Sequence, residues 1–250
     1  LAEYMTESSL TSLASDLVRL YREDRNDRSD WEKEYKEGLR LLGIKMEKRT
    51  IPWENACGAF HPILSEAVVR YVSEAIMESF PPTGPANTTI IGKDSPELLK
   101  RSKRVRDELN YQCIHKIPEF RPELEMTFFR QAIAGSCFRK VFFDPILRRP
   151  SVRMVPAEDL VVCYGTSDLL TSRRYTHVEV VPENDILKLQ AIGFYRECSL
   201  MEARDEQEDI DEEIDSLTGH VRSSVENSDH TRLEMYVDLN LEGFPDLDED

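Results

Sequence analysis

The hydrophobic period of this chain changes at Gly135. Before that point apolar residues recur at helical spacing; after it they fall in short aromatic and β-branched runs bounded by turn residues. Helices that lead and strands that follow predict an α+β fold, not a parallel sheet wound with alternating helices. The expected architecture is a helical N-terminal half packed with a small, mainly antiparallel sheet.

Over 8–23, Leu10, Leu13, Ala14, Leu17, Leu20 and Tyr21 share one stripe. Ser29 and Glu32 then make a capping-box pattern, ahead of a helix carrying Trp31, Tyr35, Leu39 and Leu42 and stopping at Gly43. Residues 47–60 have no helical period and read as irregular chain. Pro62 suits the first turn of a helix that carries Leu64, Ala67, Val68, Tyr71, Ala75, Ile76 and Phe80 and ends at Pro81-Pro82. Ser95 and Pro96 read as N-cap and first residue of the next helix, which runs towards His115 and stops before Pro118. Pro122 opens another helix to about Ala134. Strands are expected at 136–144, 151–155, 160–164 and 174–181, a short helix at 182–194, and a last strand at 232–243.

Charge divides the chain differently. The net charge is −16, and Glu197–Asp250 alone holds 19 acids and three bases, so 1–196 is neutral overall. A duplex-DNA footprint would be a clustered basic face; none is obvious, although "LLKRSKRVR" (98–106) is a local basic run. The expected organisation is therefore a domain over 1–200, an acidic disordered loop over 201–230, and a returning strand over 231–250 that begins a further C-terminal part. The absent initiator Met and the unfinished end point to a piece of a longer protein. No apolar run approaches the ~20 residues of a membrane span, and the N-terminus has no secretory-signal pattern. Five widely spaced cysteines without a C-x-x-C pair read as reduced thiols.

Motifs for chemistry fail on inspection. "FPPTGPANTTIIGKDSP" (80–96) contains Gly92-Lys93, the ending of a phosphate-binding loop, but Asn87 stands where that loop needs its first glycine. Asp94 stands where it needs a metal-binding hydroxyl. An EF-hand register starting at Asp205 puts Ile210 at the obligatory glycine; the acid run reads as a solvated loop, or as a helix formed on a partner through Ile210, Ile214 and Leu217. His61, His115, His177, His220 and His230 make no H-x-x-x-H pair and read as structural, with His177 on one face of a strand. No catalytic, cofactor-binding or metal-ligating residue emerges, and the residues support a non-enzymatic domain.

Five stretches in order add a resemblance: "CGAFHPILSEAVVRYVSEAIMESFPPTGPANTTIIGK", "RVRDELNYQ", "EFRPELEMTFFRQAIAGSCFRKVFFDP", "VRMVPAEDLVVCYGTSDL" and "YTHVEVVPENDILKLQAIGFYRE". Together, over roughly 30–200, they resemble the N-terminal, wing part of the portal proteins of short-tailed double-stranded DNA bacteriophages. The resemblance implies a subunit of a homo-oligomeric ring, usually a dodecamer, at one vertex of the virion head. Such a ring is the channel for genome packaging, retention and ejection, and the head-tail connector. Implied partners are further copies of the chain, the terminase motor, major capsid and scaffolding proteins, tail and head-completion proteins, and passing duplex DNA without sequence specificity. No membrane, cofactor, metal or catalytic residue is implied, and the protein would sit in the host cytoplasm during assembly. The alternative is a different structural or adaptor subunit recruiting a basic partner through its acidic segment.

Overall fold

A computed structural model describes residues 5–42, 50–58, 61–200 and 229–241. The fold is α+β, with six α-helices and two small antiparallel sheets among those residues. The acidic segment lies outside them at 201–228, as do Gly43 and His220. Among the described residues no helix is long and apolar enough to cross a membrane. The five cysteines are unbridged thiols.

The chain forms two compact units. One joins 1–36 to 158–250; the other is the continuous stretch 37–157. The reason is a long-range tie that local periodicity does not carry, between the N-terminal helix and a sheet made late in the chain.

In the discontinuous unit, α1 (Glu7–Asp27) starts at Thr6, whose side chain accepts the amide of Ser9. α2 (Ser29–Leu41) follows after a single residue, Arg28. The expected capping box does not form: Ser29 is already helical, and Glu32 accepts a hydrogen bond from Arg28 Nε at 2.8 Å instead. The same guanidinium donates to the carbonyls of Glu158 at 2.6 Å and Leu160 at 3.4 Å. It therefore fixes the helix junction to the edge strand β3 (Leu160–Val162). β3 pairs with β4 (Arg174–Pro182), and β4 with β5 (Asp229–Val237), giving the order β3-β4-β5. β5 begins three residues earlier than alternation predicts and ends at Val237, because its pairing with β4 runs back to Pro182. Between β4 and β5, α6 spans Glu183–Ala191.

One sheet face carries Arg174 and the fully buried Thr176, beside Val161 of β3. Here Asp24 of α1, 3% exposed, accepts two hydrogen bonds from the Arg174 guanidinium, at 2.5 and 2.7 Å. A buried carboxylate needs such a paired, bidentate partner.

The continuous unit is built on α3 (Ile63–Ser79) and α5 (Phe120–Ala134), which pack together with Tyr71 edge-on to Phe128. Pro62 stands at the N-cap, not inside the first turn. Only Val68 and Ile76 of α3 are buried; Leu64, Ala67 and Tyr71 of the expected stripe lie exposed. A single packing partner covers a narrower stripe than a helix enclosed on two sides. α5 begins at Phe120, two residues before the expected Pro122, and ends at Gly135, whose φ of 78° suits glycine.

The chain reaches α5 through α4 (Pro96–Tyr111) and a π-turn, Gln112–Lys116, that stops before Pro118 as expected. Beneath α5 runs the hairpin of β1 (Phe138–Asp144) and β2 (Arg149–Val155). Asp144 holds its turn by accepting the amides of Ile146 at 2.8 Å and Leu147 at 2.9 Å. Two glutamates of the α5 region anchor β2. Glu123 accepts the Met154 amide at 2.5 Å, while Glu119 accepts from Arg149 and from Ser151, each at 2.6 Å.

Candidate functional site

The residues with most chemical capacity lie on the second face of the β3-β4-β5 sheet. Strand alternation puts Tyr175, His177 and Glu179 of β4 on one side. The antiparallel register sets them opposite Tyr236, Glu234 and Arg232 of β5. The two tyrosine rings stack with centroids 4.8 Å apart and planes 15° apart. Tyr236 Oη donates to Glu234 Oε1 at 2.5 Å, and that bond, helped by burial and the glutamate charge, pushes the phenol up to about 12.

The other oxygen, Glu234 Oε2, faces His177 Nδ1 at 3.9 Å. His177 is 5% exposed and stands opposite the buried Leu160 of β3. Arg232 pairs with Glu179 and also donates to Tyr195 Oη, beyond α6, with its guanidinium over the Tyr195 ring. Burial, then the Glu234 charge, raises the Tyr195 phenol above its ordinary value. One ligand-capable atom from each of His177, Glu179 and Glu234 lies within 4.8 Å of the others.

The glycine loop that resembled a phosphate cradle is a connector clasped to α4. Asn110 is buried and faces the loop. Its Oδ1 accepts the Ala86 amide at 2.8 Å, and its Nδ2 donates to the carbonyls of Ala86 at 3.1 Å and Thr83 at 3.4 Å. Gly84, at φ 99°, passes so close that a Cβ there would lie 2.4 Å from Asn110 Cγ. Thr88 bonds Ser102 at 2.8 Å, and Ser95 caps α4 as expected, accepting the Leu98 amide at 3.2 Å. Gly92 and Lys93 sit exposed between these anchors.

Among the other histidines, His61 is exposed, His115 lies in the π-turn 5.3 Å from the Tyr111 ring, and His230 is the second residue of β5, opposite Val181. The acid run tested for calcium lies outside the described residues.

The continuous unit also exposes large apolar side chains. Ile63, Val69 and Met77 of α3 are 59–67% exposed, and Val141, Phe143, Ile146 and Leu147 of the β1–β2 hairpin 54–69%. On α4, exposed Leu98, Leu99 and Val105 alternate with exposed Lys100, Arg101, Lys103 and Arg104.

No protein-family model matches the chain, and no curated protein does either.

Sequence reasoning placed His177 on a strand face but did not join it to Glu179 and Glu234. The spacing H-x-E at 177–179 and R-x-E at 232–234 was the available signal. It becomes a cluster only through a strand register that bridges the acidic segment.

Proposed function

We propose that this chain is the wing part of a bacteriophage portal subunit, a structural component of a ring at the head vertex. In that role it forms part of the channel for packaging, retaining and ejecting DNA and joins head to tail. The observation that carries the reading is the ordered resemblance of five long stretches over roughly 30–200, in which no short signature has to bear the weight.

Two structural features support it. The α+β architecture, with helices leading and small antiparallel sheets following, is the one the resemblance implies. The apolar side chains left uncovered on α3 and the β1–β2 hairpin are what a subunit with neighbours on its flanks requires. The near-neutral body over 1–196 suits a conduit that DNA must slide through without adhering. In this reading ATP hydrolysis belongs to the terminase docked on the ring, and the stem and clip belong to a longer chain.

Electron microscopy of the full-length protein tests the proposal. Closed rings with a central channel are expected, and uniform monomers or dimers overturn it. The concentration of acid over 197–250 favours a second reading, an adaptor that recruits a basic partner. Deleting 201–228 separates the two: rings persist if the chain is a portal subunit, and partner capture is lost if it is an adaptor.

A further inference from the structure

We propose that His177, Glu179 and Glu234 form a binding site for one divalent cation of the zinc type, bridging β4 and β5. The proposal is independent of the portal reading; neither needs the other.

An imidazole and two carboxylates form a donor set that zinc accepts, with bonds of about 2.0–2.2 Å. Ligand atoms of a tetrahedral ion then lie about 3.4 Å apart. The three donors here already fall within 4.8 Å of one another, so side-chain rotation alone closes the remaining gap. Water completes the coordination on the side where Glu234, with a side chain 32% exposed, meets solvent.

The surroundings are those of a ligand set and not only of paired charges. Glu234 divides its oxygens: Tyr236 holds Oε1 by a hydrogen bond, which aims Oε2 at His177. A second residue orienting a carboxylate in this way is the usual support of a metal ligand. His177 is itself nearly closed to solvent, at 5% exposed, so the backbone of β4 fixes the position of its ring.

Arg232 is the internal competitor. Its guanidinium neutralises Glu179 in the metal-free arrangement, and Tyr195 offers it a second anchor. Binding of the ion releases Arg232 from Glu179 while its contact with Tyr195 remains. The two positive groups exclude each other, so removing the arginine charge must tighten cation binding, the reverse of what a mere structural ion pair predicts.

The ion would also pin the last strand. β5 returns after the whole acidic segment, and a clip between β4 and β5 closes that long loop.

The test uses the full chain, freed of metal by a chelator and titrated with zinc chloride against a chromophoric competitor. One equivalent is expected to bind. Its affinity should fall at least tenfold in Glu234→Gln and in His177→Asn, and rise several-fold in Arg232→Gln. Cobalt substitution should give visible bands without thiolate charge transfer, which separates this site from the cysteines. Zinc should slow amide exchange over 230–237.

Absence of a saturable equivalent, or an affinity unchanged in Glu234→Gln, overturns the proposal. So does an Arg232→Gln variant that binds more weakly while remaining folded by circular dichroism. If His177→Asn fails to fold, the rim residue Glu234 carries the test.

Discussion

Gly84 and Asn110 act as one fitting, in which the absent side chain of the first makes room for the amide of the second. Gly84→Ala meets both a clash at 2.4 Å and a positive φ, so destabilisation of about 1–3 kcal/mol is expected in urea denaturation. Glu119 sets a pH dependence. Hydrogen bonds from Arg149, then Ser151, hold its carboxyl at about 2, against the opposing effect of burial. A depressed folded value means that its stabilisation is present above the ordinary value of 4.5 and is lost as pH falls towards 2. Solvent screening leaves on the order of 1 kcal/mol. The stability gap between wild type and Glu119→Gln should therefore narrow below pH 4.5, measured by denaturation at a series of pH values.

At the scale of elements, two serines that look alike in sequence behave differently. Ser95 accepts the Leu98 amide and caps α4, so Ser95→Ala should cost about 1 kcal/mol. Ser29 is already inside α2, and Ser29→Ala should change stability by less than about 0.5 kcal/mol. Thermal melts of the two variants check the contrast. Local chemistry made most elements legible: the Ser95 cap, the stop before Pro118, the Gly135 terminus and the switch of period after it. Ser29 misled because the preceding helix ends one residue away, and Arg28, tied to the carbonyls beyond α2, takes Glu32 for itself. The cluster on β4 and β5 stayed hidden for a different reason. Alternation gives each strand its faces, but only pairing across 183–228 decides which face meets which. Exposure was equally hard to read, since Leu64 fits the helical stripe and yet lies exposed, and Tyr71 stays exposed even though its ring meets Phe128 of α5.

At the scale of the whole molecule, apolar exposure occurs in both units, with Leu170 and Phe194 exposed in the discontinuous one. The acidic excess is confined to the residues after 196. Under the portal reading, the assembled ring should bind duplex DNA weakly at physiological salt despite the basic residues of α4. A filter-binding series over salt concentration should show a shallow slope; tight binding with a steep one would count against a sliding conduit. The division into two units also has a history in time. Residues 37–157 leave the ribosome as one uninterrupted stretch and can fold on arrival, but α1, synthesised first, finds β4 only after that stretch and β5 last of all. At ordinary rates of synthesis roughly 10–40 s separate α1 from its finished sheet. Throughout that interval the stripe of Leu13, Leu17, Leu20 and Tyr21 is a nascent apolar surface, open to a chaperone or to the same helix on a neighbouring ribosome.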